Sequence, residues 1–295
     1  MMLKPFRFGV VGGNGQSRKT WTSFARRAEE LGYSSLLLPD RIQMNVAPFA
    51  ALAIAAEATT TLRVGSYVFC NDYRHPAVLA KEVATLDLLS DGRFELGIGA
   101  GVGPDDYQQL GLPFDSAGTR VSRVEEAVAI LKQFFTEERV NFTGKYYTVA
   151  DLQALPKPVQ RPHPPIFIGS ANKRMLTIAA RHADIVSPTI KFARPGESVS
   201  DVPLEQKVDW IREAAGERFE QLEFSQSDFG LVITDSPVEV FNITGGPYMQ
   251  KKAMSTEQAV EHLLAQREQL RFSYIHINAG QMENFAPVVA RLAGK

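Results

Sequence analysis

The 295-residue chain alternates short, nearly continuous apolar runs with longer stretches whose apolar positions recur at helical spacing. The runs predict strands over Phe6–Val11, Ser35–Leu38, Arg63–Phe69, Phe94–Ile98, Pro165–Gly169, Asp184–Ser187, Phe229–Ile233 and Tyr274–Asn278. The stretches between them predict helices over Thr20–Leu31, Pro48–Thr59, Ala77–Leu89, Arg120–Phe135, Lys173–His182, Leu204–Glu217 and Thr256–Arg271, with Asn284–Ala293 closing the chain. A strand without polar alternation is buried on both faces, as in parallel sheets covered by helices. Eight such strands, each followed by a helix, fit a closed (β/α)8 TIM barrel better than an open sheet, and about 250 residues is typical of that fold. Residues 136–164 add a hairpin over Asn141–Thr148 and a proline-rich approach to the fifth strand, while residues 188–228 and 234–255 are long for simple connections. The reading is a single α/β domain over residues 1–295 with insertions after strands 4, 6 and 7.

The segment from Leu62 to Gly103 concentrates the candidate chemistry. It runs strand, polar loop (Cys70 to His75), helix opened by Pro76, turn (Ser90 to Arg93) and strand, which makes it a βαβ unit. The second strand ends in Gly97, Gly99, Gly101 and Gly103, and glycines beyond a parallel strand let backbone approach a flat or anionic ligand.

Composition narrows the function by exclusion. Lys+Arg number 32 against Asp+Glu 33, so no electrostatic footprint for nucleic acid or an anionic membrane exists. One cysteine, Cys70, rules out an internal disulfide and fits a cytoplasmic setting. The opening MMLKPFRFGVVGG has too short an apolar core for a signal peptide, and no stretch approaches membrane-spanning length. The five histidines lack metal spacing, so no metal is expected. Gly9, Gly12, Gly13 and Gly15 do not complete a dinucleotide fingerprint, because Arg18 stands where its last glycine belongs.

The candidate residues lie at strand ends. Asp40 and Arg41 follow the apolar run Leu36–Pro39. Arg41 is no proton donor at physiological pH, but its planar fork suits an anion or the polar edge of a ring; the plainer alternative is an ion pair capping a strand. Asn71 and Asp72 are candidates for substrate contact or simply a polar helix entry, and His75, ahead of Pro76, reads as structural. Ala100, Gly101 and Val102 are either a surface for a flat ligand or a tight turn. Gly169, Ser170, Ala171, Asn172 and Lys173 open a helix, where backbone N–H groups and the helix dipole favour an anion; Ser170 and Asn172 serve equally as caps.

Several motifs in fixed order carry a family resemblance. They are Ala28 to Tyr33 with Leu38-Pro39-Asp40, Ala56 to Gly65, His75-Pro76 through Asp87, Ser90 to Gly101, and Pro156 to Pro162 with Pro165 to Gly169. In these the chain resembles the bacterial luciferase-like monooxygenase family, in the branch that uses the deazaflavin coenzyme F420. The resemblance implies a barrel with the cofactor ring at the carboxyl ends of its strands, near Asp40, Arg41 and Ala100 to Val102. It implies a cis peptide at Tyr67–Val68 behind the middle ring and a cofactor phosphate at Gly169 to Lys173. The activity implied is hydride transfer between the deazaflavin and a small organic substrate.

Three departures bear on that expectation. Arg41 stands where family members often carry histidine, which leaves the catalytic acid or base unassigned. Val102 replaces a glutamate of some family dehydrogenases and argues against their sugar-phosphate chemistry. FMN-using members tend to carry arginine at the place of Ala100, so Ala100 favours F420 over FMN. The alternatives are an FMN-dependent monooxygenase that incorporates oxygen and a non-catalytic flavin- or deazaflavin-binding protein. Family members commonly associate through the helices after strands 2 and 3, and the alanine-rich Pro48–Ala58 and Ala77–Ala84 segments suit a homodimer.

Overall fold

The computed structural model describes residues 3–13, 15–191, 200–234 and 252–295. The elements in chain order begin with β1 (Arg7–Val11), α1 (Arg18–Glu30), β2 (Ser35–Leu38), α2 (Pro48–Ala58), β3 (Arg63–Ser66), β4 (Phe69–Cys70), α3 (Pro76–Leu89) and β5 (Phe94–Gly99). They continue with α4 (Pro104–Leu110), α5 (Ala117–Thr136), β6 (Arg139–Thr143), β7 (Thr148–Gln153), β8 (Ile166–Ser170), α6 (Lys173–His182) and β9 (Ile185–Pro188). The last are α7 (Leu204–Ala215), β10 (Glu223–Ser227), β11 (Leu231–Ile233), β12 (Lys252–Met254), α8 (Thr256–Leu270), β13 (Phe272–Asn278) and α9 (Met282–Leu292). Strands β1, β2, β3, β5, β8, β9, β10 and β13 each lead to a helix, which is the expected alternation.

One expected strand is misplaced. Phe229–Ile233 was to be the seventh; the main-sheet strand is instead β10, six residues earlier, paired in parallel with β13 and β9. Leu231–Ile233 forms a separate two-stranded parallel pair with β12. The apolar-run criterion failed because β10 reads Glu-Phe-Ser-Gln-Ser, and its buried Ser225 is paid for by a hydrogen-bonded neighbour, His276 Nδ1 at 3.0 Å. The seven-residue helix α4 in the insertion after β5 was not anticipated either.

Two compact units make up the chain, and their boundaries fall inside β2 and β8. The first comprises residues 1–13, 24–36 and 169–295. In it β1, β13, β10 and β9 run parallel, with Arg7 opposite Tyr274 and Glu223 opposite Ile185. Phe8 packs on Phe285 of α9 with ring centroids 6.0 Å apart, and both are fully buried.

The second unit comprises residues 14–23 and 37–168. Here β5 is central, pairing in parallel with β3, β4 and β8. Pro48, Pro76 and Pro104 each begin a helix, where the missing N–H costs no bond. Arg93 donates to the carbonyls of Ala56 in the last turn of α2 (2.8 Å) and of Leu62 just before β3 (2.9 Å), tying the turn before β5 to both. Gly97 is required by the fold: a Cβ there would overlap the carbonyl oxygen of Ser66 on β3. The space read from sequence as room for a ligand is filled at this position by the protein's own strand. The antiparallel hairpin β6–β7 lies where the sequence placed one.

Candidate active site

The strand ends of the second unit carry a dense polar network. Asp40, just after β2, is buried and accepts two hydrogen bonds from Arg74 (2.6 and 3.1 Å) and one from the Cys70 amide (3.1 Å). Arg74 also lies 5.2 Å from the centre of the Phe69 ring. Arg41 does not pair with its neighbour Asp40. Its guanidinium donates to Asp106 of α4 at 2.5 and 3.3 Å, and Tyr73 Oη donates to the same carboxylate at 3.2 Å. Arg41 is therefore already neutralised, although its side chain remains 44% exposed. The mutual ion pair expected of these two residues does not form: each is paired, Asp40 with Arg74 and Arg41 with Asp106, with partners that no local pattern reveals.

The short 3₁₀ turn Asn71–Tyr73 follows β4. Asp72 accepts from Tyr107 Oη (3.0 Å) and from Arg123 of α5 (3.0 Å). His75 caps α3, its Nδ1 accepting from the Ala77 amide at 3.2 Å, which is the structural role expected of it. Burial pushes the Cys70 thiol and the Tyr73, Tyr107 and Tyr147 phenols up, so all four keep their protons near neutrality.

Tyr147 was not singled out from sequence. The hairpin tip brings it to the turn, where Asn71 Nδ2 donates to Tyr147 Oη at 2.9 Å. The tip is anchored by Glu126 of α5, whose carboxylate accepts from the amides of Lys145 (2.8 Å), Tyr146 (2.9 Å) and Tyr147 (3.1 Å). Asn71 Oδ1 is buried with no hydrogen-bond partner among the described residues. An unsatisfied buried carbonyl costs about 1–3 kcal/mol, so its presence calls for a reason.

The end of β5 is held from outside. Arg120 donates to the carbonyls of Ala100 (2.6 Å) and Gly101 (2.8 Å). Gly101 has φ +78°, and a Cβ there would overlap Tyr107 Oη. Val102 is 85% exposed. The Tyr67–Val68 peptide is cis, and the Tyr67 ring stacks on Phe167 at 5.2 Å.

Gly169 to Lys173 belong to the other unit. Asn172 occupies the N-cap position of α6 without a side-chain cap bond; its amide donates instead to Ser170 Oγ at 3.1 Å. Lys173 Nζ lies 5.6 Å from the Trp210 ring centre. The structure gathers Asp40, Arg41, Asn71, Asp72 and Ala100 to Gly101 into one connected network, and describes Gly169 to Lys173 as a separate strand-to-helix turn. Among the described residues no cluster of metal ligands occurs, and no helix is long and apolar enough to cross a membrane.

A family model described as luciferase-like monooxygenase matches residues 1–271. An F420-dependent glucose-6-phosphate dehydrogenase of Microbacterium testaceum is 33% identical over 192 residues, 62% of this chain and 56% of that protein. An F420-dependent hydroxymycolic acid dehydrogenase of Mycobacterium tuberculosis is 30% identical over 185 residues, 60% of this chain and 51% of that one. The chain thus spans about half the length of these relatives. The solved coenzyme F420-dependent tetrahydromethanopterin reductase of Methanopyrus kandleri superposes with a TM-score of 0.78 at 17% identity, covering 98% of this chain and 99% of that one. That likeness shows the fold, the (β/α)8 barrel expected from the strand–helix alternation.

Proposed function

We propose that this chain, which belongs to the luciferase-like monooxygenase family, is a coenzyme F420-dependent oxidoreductase acting as one domain on a small organic substrate. The observation that carries the reading is the F420 dependence named for its curated relatives at 30–33% identity. Ala100 agrees with it, since the site offers a methyl group where FMN-using members of the family tend to carry arginine. The deazaflavin, when bound, supplies or takes up a hydride.

The residues fit such a cofactor in two places, each taken by itself. At the start of α6 no side chain caps the helix, so its first amides and Lys173 suit a phosphate. At the end of β5, Arg120 fixes the Ala100 and Gly101 carbonyls, and the chain there presents only small side chains before Val102. Asp40, Arg41, Tyr67 and Val68 complete the proposed ring contacts, while Asn71 and Asp72 are proposed to meet the substrate. The ion pairs of Asp40 and Arg41 hold these strand ends in place. With Arg41 neutralised by Asp106 and no carboxylate at Val102, the proposed substrate is uncharged.

The proposal for the association state is supported by α2 and α3, where Ile54, Val78, Leu88 and Leu89 stand 42%, 54%, 45% and 71% exposed. Apolar side chains grouped on neighbouring helices suit a symmetric partner, and a homodimer in the cytoplasm is proposed. Titration of the purified protein with F420 and with FMN, followed by absorbance, tests the cofactor. Tighter binding of F420 is expected; micromolar FMN binding with no measurable F420 binding overturns the reading. Tight F420 binding with no turnover of any alcohol or carbonyl partner points instead to a carrier.

A further inference from the structure

A cavity of about 490 Å³ lies in the first unit, at the amino ends of β1 and β10. That volume falls among those of small-molecule sites, roughly 300–1,000 Å³. The cavity reaches solvent, since Pro5, Gly32, Ala293 and Gly294 of its lining are exposed. Pro5, Phe6 and Ala293 make part of the lining apolar. Gly294 has φ +78°, and a Cβ there would meet no atom within 4 Å, so the backbone at this point borders open space.

The charged groups of the lining are not equivalent. Arg7 donates to both Glu223 carboxylate oxygens, at 2.7 and 2.6 Å, so these two charges cancel. Lys4 is half-buried and donates to the Gln221 carbonyl at 2.6 Å, but among the described residues no carboxylate stands within ion-pair distance of it. An ammonium has three donors, so two remain for a ligand.

We propose that this cavity is a second binding site, for a short-chain monocarboxylic acid whose carboxylate pairs with Lys4 and whose hydrocarbon lies against Pro5, Phe6 and Ala293. Burial holds the Lys4 ammonium below its ordinary value; Arg7 and Arg271 add to that effect, and Glu223 and Asp184 oppose it without cancelling it. A bound carboxylate supplies the counter-charge that the ammonium lacks. A dianion would set its second charge near Glu223, and an amine would meet Lys4 as a like charge, so one negative charge on an apolar body matches the lining. The inference is independent of the oxidoreductase reading, because the cofactor and substrate contacts proposed above include none of the residues that line this cavity.

The test is ligand-observed NMR on the full chain, with and without F420, using hexanoate, acetate, 1-hexanol and hexylammonium as probes. Wild type, Lys4→Met and Lys4→Arg are compared, with thermal melting to establish that each is folded. Wild type should bind hexanoate at least tenfold more tightly than any of the other three probes. Lys4→Met should weaken hexanoate at least tenfold and leave 1-hexanol within twofold, while Lys4→Arg, which keeps the charge, should hold hexanoate within threefold of wild type. F420 should leave hexanoate affinity unchanged. No hexanoate binding, equal binding of hexanoate and 1-hexanol, or undiminished affinity in Lys4→Met each overturns the proposal. Displacement of hexanoate by F420 also overturns it, since it would put the acid at the cofactor's end of the strands. Should Lys4→Met not fold, the wild-type comparison decides alone, and a preference for hexanoate over hexylammonium below tenfold refutes the site.

Discussion

Gly101→Ala is the substitution whose cost the structure defines most closely. Residue 101 has φ +78°, and placing an L side chain in that left-handed region costs about 1–2 kcal/mol. The new methyl would also overlap Tyr107 Oη and stand 3.0 Å from Tyr107 Cε2 and 3.1 Å from Cys70 Sγ. Tyr107 is almost fully buried, and its ring meets Phe114 edge-on at 4.9 Å, so it has little room to yield. Its hydroxyl is also committed to Asp72 at 3.0 Å. Overpacking a tight site of this kind typically costs 1–3 kcal/mol, which brings the expected total to about 2–5 kcal/mol.

The two contributions separate in a double-mutant cycle. Tyr107→Phe removes the overlapping oxygen and leaves the ring, while Arg123 continues to neutralise Asp72. In that background Gly101→Ala should cost less, by up to about 1–3 kcal/mol, and keep the left-handed part together with the contacts to the ring edge and Cys70 Sγ. Urea unfolding of the four proteins, with m compared to confirm that the same surface is exposed, measures both. A cost below about 1 kcal/mol for Gly101→Ala, or an equal cost in both backgrounds, would refute the argument that residue 101 is glycine because of its conformation and Tyr107.

Three further outcomes are expected. Ser170→Asp keeps an acceptor for the Asn172 amide but places a negative charge at the proposed phosphate position. The empty protein should melt as before and bind F420 at least tenfold more weakly, about 1.4 kcal/mol, and undiminished affinity in a titration removes the phosphate from this turn. Asp201→Asn leaves the fully buried Lys207 ammonium, now 2.6 Å from Asp201 Oδ2, without its counter-charge, and should cost about 3–5 kcal/mol in denaturant unfolding. Burial pushes the Asp201 carboxyl up, but hydrogen bonds from Lys207 and the amides of Lys191 and Val202 outweigh it and hold the group below its ordinary value. Its contribution is therefore complete above about pH 4 and lost as pH falls through the depressed value, and Asp201→Asn should flatten that part of the acid dependence. Leu89→Glu on the exposed end of α3 should give a monomer by sedimentation if the proposed dimer forms there, while an unchanged dimer mass would place the interface elsewhere.

The elements are legible along the chain wherever burial and apolar composition coincide. Lys173–His182 and Ser35–Leu38 end where the pattern says, because an amphipathic helix and a strand buried on both faces each leave a local signature. The motif that opened α3 was equally legible, since Pro76 and the capping His75 act on their own neighbours. The pattern failed at β10, where Ser225 is buried through a hydrogen bond to His276, 51 residues away, and looks polar until that partner is seen.

The chemistry of the candidate site depended on such distant pairings still more. Sequence placed Asp40, Arg41, Asn71 and Asp72 at strand ends, but only the tertiary structure gave Arg41 to Asp106 and Asp40 to Arg74. It alone brought Tyr147 across 76 residues to Asn71. It also showed that Gly97 makes room for Ser66 on the neighbouring strand and that Gly101 makes room for Tyr107, within one run of glycines that reads as uniform. Local periodicity records which face of a segment is buried; it carries no information on which charge or hydroxyl a fold will set opposite another. Those pairings arise only when strands and insertions far apart in the chain share one end of the sheet, and they decide which polar atoms are spent on the structure and which remain for a ligand.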